Sequence, residues 1–219
     1  WDKLVDKVDD IPLTDHITKD RIKYVVDLIP DERIKVLDIG LGYGFLEKEI
    51  KLKKKNVLIY GIDISKKSVI RARNLYGKKF VTGSAKDIPF SDSFFDVVCL
   101  LEVLEHIYEH ESHTVFNEIK RVLKNSGTLI ISVPLYDKIY CGHPSAHVRF
   151  YTPEKLFEEL SKNGFHTIKK RHLYAFSTLY KTKNIINKIL KLKRPNNLVI
   201  LARKKWRFCF WRRGIPEKI

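Results

Sequence analysis

The stretch that decides the fold is Val36-Leu37-Asp38-Ile39-Gly40-Leu41-Gly42-Tyr43-Gly44-Phe45-Leu46. Its apolar start is typical of a short buried strand, its glycines are typical of a tight turn, and residues 47–52 continue at helical spacing. Glycine lets a backbone turn tightly and approach a ligand, because no Cβ stands in the way. A ligand held there would lie at the carboxyl end of a parallel strand, against a helix N-terminus.

The order of elements around this turn strengthens the interpretation, since a lone G-x-G-x-G is weak evidence. A second apolar run, residues 57–62, ends in Asp63, about twenty residues after the turn, where a doubly wound fold has a ribose-binding carboxylate. Periodicity predicts strands at 34–39, 57–62, 79–82, 95–101 and 128–133, and helices at 18–29, 44–54, 65–76, 111–124 and 153–163. This alternation predicts a parallel sheet within an α/β fold.

Five segments in this order resemble the motifs of the class I S-adenosylmethionine-dependent methyltransferases, from about residue 34 to residue 160. They are the glycine turn, the strand that ends in Asp63, and the segments that begin at Gly83, Phe95 and Leu123. The resemblance implies a doubly wound, mostly parallel seven-stranded sheet with an antiparallel final strand and helices on both faces. The closing antiparallel pair would be residues 165–174 and 197–202.

The resemblance also implies that S-adenosyl-L-methionine is the cofactor. Its methionine part would lie in the turn from Asp38 through Gly40 and Gly42 to Gly44. Asp63 would bind the ribose hydroxyls, with Ile64 beside it. Ser84 stands where the family commonly has Asp, so adenine recognition is shared with Ala85 and Asp87. Leu100 and Leu101, at the end of the fourth strand, would line the pocket for the methionine part.

The positive charge is concentrated at the C-terminal end. Residues 161–219 hold 17 Lys and Arg and one acid, so they carry the whole formal net charge of +16. Such a field favours phosphate or anionic lipid partners. Residues 178–193 read as a basic amphipathic helix, either packed on the core or in contact with nucleic acid or an anionic membrane. The expected partner surface extends over residues 178–213.

The chain divides into an N-terminal helical cap at 1–33, a methyltransferase domain at 34–203 that includes the insertion at 178–193, and a basic aromatic tail at 204–219. Its three cysteines are odd in number and lack C-x-x-C spacing, which predicts a reducing compartment. With no run near ~18 apolar residues, the expected location is cytoplasmic, or peripheral to a membrane.

Candidate catalytic residues follow the fourth strand. Glu102, Glu105 and His106 are expected to start the helix after that strand, where spacings of three and four place them on one helical face. Together with His147 they form a candidate site for a divalent metal ion. The set resembles the Glu-x-x-Glu-His and distal His of small-RNA 3′-end 2′-O-methyltransferases, and a similar run occurs in ubiquinone-pathway O-methyltransferases.

Without a metal, His106 or His147 is the expected general base, because an imidazole pKa of about 6.5 suits proton removal near neutrality. Arg149 and Tyr151, in the lid after the fifth strand, would shape the acceptor pocket, although His147 and Arg149 could instead only pin that lid. The chain has Leu101-Glu102-Val103-Leu104 where amino-directed nucleic-acid methyltransferases have an Asn-Pro-Pro-Tyr motif. This favours an oxygen or carbon acceptor.

Three functions remain open on the sequence. The first is a methyltransferase that acts on an oxygen of a quinone-, phenol-, lipid- or sugar-like small molecule. The second is a metal-assisted RNA ribose 2′-O-methyltransferase. The third is a scaffold that binds the cofactor and docks nucleic acid or membrane through its basic C-terminus. The sequence does not indicate an oligomeric state.

Overall fold

A seven-stranded sheet forms the centre of the molecule in the computed structural model, which describes residues 16–135, 147–174, 187 and 195–205. The strands are β1 (Lys35–Ile39), β2 (Leu58–Asp63), β3 (Phe80–Thr82), β4 (Phe95–Leu101), β5 (Leu123–Pro134), β6 (Phe165–Leu173) and β7 (Asn197–Lys204). The helices are α1 (His16–Leu28), α2 (Phe45–Lys53), α3 (Lys66–Tyr76), α4 (Glu109–Val122) and α5 (Pro153–Lys162).

The strand order is β3-β2-β1-β4-β5-β7-β6. Neighbours from β3 through β5 pair in parallel, whereas β7 runs antiparallel to both β5 and β6. The last of the described strands, β7, therefore inserts between β5 and β6. This confirms the expected doubly wound, mostly parallel sheet with an antiparallel final strand.

Helices cover both faces of this sheet, as expected. On one face, α1 and α2 bury an apolar cluster against the strands that includes Val25, Ile50 and Val36. On the other face, α4 and α5 bury a larger cluster that includes Phe116 and Leu156. Nearly continuous burial along β4 and over residues 129–133 of β5 follows from these two layers, because a parallel sheet covered on both sides has no solvent face.

The parallel register aligns the carboxyl ends of four strands. Ile39 pairs with Ile62 and with Leu100, and Asp63 pairs with Thr82. The segments that follow these strands therefore meet along one edge of the sheet, which is where ligands bind in open α/β sheets. All the expected cofactor residues belong to this edge.

Most element bounds agree with the sequence expectation, but two do not. The predicted helix at residues 102–106 is wrong: the chain there forms one 3-10 turn, Leu104–His106, and α4 begins only at Glu109. The fifth strand also begins earlier than expected, at Leu123. None of the described helices is long and apolar enough to cross a membrane.

Several expectations fall outside the described residues. They concern residues 1–15 of the N-terminal cap, the lid at 136–146, the basic insertion at 178–193 apart from position 187, and the tail from residue 206 onward. The proposed domain boundaries stay predictions. Within them, α1 packs on the same face of the sheet as α2.

Candidate functional site

The glycine turn after β1 has the geometry of a ligand cradle. Gly40 has φ +87°, and a Cβ at this position would lie 2.4 Å from Cγ2 of Val103, so only glycine fits there. Gly42 has φ +51°, and a Cβ there would meet no heavy atom within 4 Å. The turn is thus pressed against residue 103 on one side and open on the other, where a ligand can approach the backbone.

Asp63 joins the end of β2 to this turn. Its Oδ1 accepts a hydrogen bond from the backbone N–H of Ser65 at 2.7 Å, and its Oδ2 accepts one from the N–H of Gly42 at 3.2 Å. Ile64, the next residue, has 55% of its surface exposed. The carboxylate therefore lies at the rim of the cradle beside an exposed apolar side chain, and its ribose role stays a prediction.

The expected adenine segment forms a tight turn after β3. The backbone N–H of Asp87 donates to the carbonyl of Ser84 at 3.1 Å, and Oγ of Ser84 accepts from the N–H of Lys86. Ala85 is buried and Asp87 is exposed. At the end of β4, Leu100 is fully buried and Leu101 is 9% exposed, and they belong to the apolar clusters on opposite faces of the sheet.

Two acids lie beneath the glycine turn. Asp38 on β1 is 3% exposed and Glu47 on α2 is fully buried. Burial, together with the neighbouring carboxylates, raises the pKa of Asp38 well above its usual value and that of Glu47 to about 7. A buried acid pair of this kind fits a positively charged ligand better than it fits an apolar core.

Glu102 does not join the candidate metal ligands, contrary to the sequence expectation. It has a left-handed backbone, φ +54°, and its carboxylate is 3.1 Å from Nη1 of Arg21. The same carboxylate accepts hydrogen bonds from Oγ of Ser132 at 2.7 Å and from Nδ2 of Asn197 at 2.9 Å. Its oxygens are therefore used to connect α1, β5 and β7.

The other three candidate ligands do converge. One ligand atom from each of Glu105, His106 and His147 lies within 4.8 Å of the others. The two imidazole ring centroids are 4.8 Å apart, and Nε2 of His147 is 4.0 Å from Oε1 of Glu105. Burial and the neighbouring His106 lower the pKa of His147, so this imidazole is neutral near pH 7.

Arg149 and Tyr151 have structural partners rather than positions in an open pocket. Arg149 is 6% exposed, and its guanidinium binds Glu159 at 2.9 Å and the carbonyl of Leu104 at 3.1 Å. Tyr151 is fully buried, and its hydroxyl donates to Glu159 at 2.8 Å. The expectation that these two side chains shape the acceptor pocket is not supported, because both are engaged by Glu159.

Backbone hydrogen bonds beside Arg149 bring the two histidine segments together. The backbone N–H groups of Val148 and Arg149 both donate to the carbonyl of Glu105, at 2.9 and 3.2 Å. The segment after the lid is thereby fixed against the 3-10 turn, which brings His147 beside His106. The alternative reading of Arg149, that it pins this segment, agrees with these contacts.

The sequence analysis missed Glu47 and Glu159. Glu47 could have been found, because it lies one residue after Leu46 and three before Ile50, on the buried stripe of α2. Glu159 gave no such signal, since its partners Arg149 and Tyr151 come from a loop whose position depends on the tertiary fold.

Comparisons with known proteins agree with this geometry. Residues 37–131 match the family described as a methyltransferase domain. O-methyltransferase resE of Aspergillus sclerotiorum is 31% identical over 61% of this chain and 55% of its own length. Demethylmenaquinone methyltransferase of Thermotoga maritima is 27% identical over 65% of this chain and 75% of its own length.

The solved structures support the same fold. A SAM-dependent methyltransferase from Archaeoglobus fulgidus superposes with a TM-score of 0.68 at 22% identity, covering 86% of this chain and 93% of its own. At 22% identity, this similarity shows only that the two proteins share a fold.

Proposed function

We propose that this chain is a class I S-adenosylmethionine-dependent methyltransferase and that it methylates an oxygen atom of a small molecule. The observation that carries the proposal is the contact between the glycine turn and the histidine turn. Val103 lies against Gly40, and its carbonyl accepts the backbone N–H of His106 at 2.9 Å. These contacts support a general base at His106, or at His147 beside it, close to the cofactor cradle.

The residues present fit S-adenosylmethionine. The cofactor is a cation, and the turn offers two buried acids, Asp38 and Glu47, whose orphaned oxygens Oδ1, Oε1 and Oε2 accept no hydrogen bond within the described structure. The open side of Gly42 leaves room for the methionine part, and Asp63 at the rim would bind the ribose. When bound, the cofactor supplies a methyl group that its sulfonium already activates.

The protein's own contribution would be placement and proton removal. Placement turns a bimolecular reaction into an effectively unimolecular one. A hydroxyl acceptor must also lose its proton, and a neutral imidazole is a suitable acceptor for it. Nε2 of His147, or a ring nitrogen of His106, would take that proton, while Arg149 and Glu159 keep the His147 segment in position.

Incubation with methyl-labelled S-adenosylmethionine and a panel of phenols, catechols, hydroxyquinones and hydroxylated lipids and sugars tests this function. Mass spectrometry should find the label on oxygen. Removal of the general base, in His106→Asn or His147→Asn, should slow transfer by about 10²–10⁴-fold. His110→Asn, a histidine beside Tyr108 on α4, is the matched control and should keep the wild-type rate. Label on carbon or nitrogen, or full rates in both variants, would contradict the proposal.

A second candidate is metal-assisted methylation, including that of an RNA ribose. The convergence of Glu105, His106 and His147 favours it, because both oxygens of the buried Glu105 carboxylate have no hydrogen-bond donor among the described residues. A divalent ion bound there would polarise the acceptor oxygen.

Equilibrium dialysis against Mg²⁺, Mn²⁺ or Co²⁺ followed by elemental analysis tests for the ion. About one ion per chain is expected in the wild type and none in Glu105→Gln. An equal ion content in both proteins would remove this candidate. Affinity for RNA that falls steeply with salt would favour the ribose acceptor, and weak, salt-insensitive binding would exclude it.

A further inference from the structure

Among the residues that the structure describes, no cation pairs with the two acids beneath the glycine turn. Both carboxylate oxygens of Glu47 and Oδ1 of Asp38 are buried and receive no hydrogen bond from any described donor. Two ionised carboxylates so placed would repel each other in a medium of low dielectric constant. One proton held between them removes the repulsion and supplies the missing donor, so the free protein is expected to keep one.

The groups around the pair come from every element packed against it. Asp63 faces the pair from β2 and adds negative charge. Tyr76 faces it from α3 and Cys99 from β4, and burial raises the pKa of both side chains, so both stay neutral. On α2 itself, Nζ of Lys51 is turned to the carbonyl of Leu75. On α1, the guanidinium of Arg21 binds Glu102.

The pair is within reach of a ligand in the turn. A Cβ placed on Gly44 would lie 3.8 Å from Oε2 of Glu47 and 3.9 Å from the hydroxyl of Tyr76. That hydroxyl donates to the carbonyl of Gly44 at 3.4 Å. The carboxyl of Glu47 therefore lies directly behind the last glycine of the cradle, and a change in its charge is felt by whatever the cradle holds.

We propose that Glu47 is a cofactor-site residue that shares one proton with Asp38 in the free protein and releases it to the solvent when the cationic cofactor binds. The positive charge of the ligand takes the place of the proton, so the pair becomes a dianion only in the complex. This inference rests on the proposed function, since it needs S-adenosylmethionine as the ligand. It adds a binding residue outside the glycine motif.

The titration of the pair sets the direction of the pH dependence. Burial raises the pKa of both acids, to about 7 for Glu47 and well above the usual value for Asp38, so the pair still holds a proton near neutral pH. Below pH 7 the cofactor must displace the proton, so its affinity should rise with pH by up to about tenfold per unit.

Calorimetric titration of the full chain with S-adenosylmethionine at pH 6.5, in phosphate and in Tris, tests the proposal. The two buffers differ in ionisation enthalpy, so a released proton appears as a difference between the two binding heats. A release of roughly 0.5–1 proton is expected from the position of the pKa. Equal heats in both buffers would overturn the inference and leave the proposed function intact, whereas no heat in either buffer would overturn the proposed function.

Glu47→Gln provides the second arm. Its amide can donate permanently to Asp38, so binding should release no proton and its affinity should no longer change between pH 6 and pH 8. Glu49→Gln is the matched control on the same helix, because Glu49 pairs with Lys53 at the surface, and it should behave as the wild type. Proton release from Glu47→Gln equal to that of the wild type would also contradict the proposal. If Glu47→Gln does not fold, the comparison of the two buffers with the wild-type protein still tests proton release.

Discussion

Two pairs of acids beside the sheet, one pair buried and the other partly buried, differ in what balances their charge. In the first group, Asp38 and Glu47 receive no hydrogen bond at three of their oxygens from any described donor. In the second, Glu102 is paired with Arg21 and Glu159 with Arg149. The acids with arginine partners connect helices to the sheet, whereas the unmatched pair lies where a cationic ligand is expected.

The difference separates structural acids from functional ones. A buried charge persists in a fold when it is paired or when its ionisation is suppressed. The arginine-paired acids follow the first route, and the pair at the glycine turn follows the second, with a raised pKa at both carboxyls. Perturbed acids in a cleft are candidates for function. The variants below test each side of this comparison.

The largest effect is expected on the arginine-matched side. Glu159→Ala leaves the buried guanidinium of Arg149 unpaired and removes the partner of Tyr151, which should lower the free energy of unfolding by about 3–5 kcal/mol. Denaturant unfolding measures it. Glu158→Ala, which removes an exposed pair with Lys162, should leave the midpoint unchanged. A loss below about 1 kcal/mol in Glu159→Ala would show that this acid is not structural.

On the ligand side, Asp63→Ala should weaken cofactor binding by about 2–3 kcal/mol, or roughly 30–150-fold, because charged hydrogen bonds to the ribose are lost. Calorimetry measures the change. Asp31→Ala is the control, since Asp31 accepts a backbone N–H from Asn56 in the same manner but away from the site. Unchanged affinity in Asp63→Ala would remove the ribose role.

The unmatched pair should destabilise the free protein at high pH. The pKa of Glu47 is raised from 4.5 to about 7, so the folded state binds more protons between these values and loses stability as pH rises through them. Glu47→Gln removes this loss and should be more stable than the wild type by about 3 kcal/mol at pH 8, at ~1.4 kcal/mol per pKa unit. The advantage should vanish near pH 4.5. Unfolding curves that show no pH-dependent difference would contradict the shared proton.

The smallest expected effect is that of two glycine substitutions, which distinguish backbone strain from loss of contact with the ligand. Gly42→Ala and Gly164→Ala each place a Cβ on a residue with positive φ, +51° and +79°, at a cost of about 1–2 kcal/mol of stability. Only Gly42 faces the cradle, so only Gly42→Ala should also weaken cofactor binding. Equal binding by the two variants would mean that the ligand does not approach the turn at Gly42.

The fold could be predicted from the sequence because strand, turn and helix signals alternate clearly from residue 34 onward. The failure at residues 102–106 has a physical cause. Glu102 adopts a left-handed backbone that no helix continues, and Arg21, Ser132 and Asn197 hold it there. All three partners are distant in the chain, so the local hydrophobic periodicity could not predict these contacts.

The candidate site was only partly predictable. The glycine turn and Asp63 follow from local order and spacing, and the meeting of Glu105, His106 and His147 agrees with the expected set of ligands apart from Glu102. The balance of charge could not be predicted, because it depends on which acids the fold buries next to arginines. Glu47 and Glu159 are both helical acids in the sequence, and only tertiary packing separates their roles.

The measurement that tests the central claim most directly is the thermal stability of the full chain at pH 8 with and without S-adenosylmethionine. If the acidic glycine turn binds this cation, stability should rise with ligand concentration, by about 2.7 kcal/mol at a hundredfold excess over the dissociation constant. Asp63→Ala should require correspondingly more ligand for the same shift. A wild-type protein whose unfolding is unchanged at millimolar S-adenosylmethionine, and whose titration gives no heat, would contradict the account.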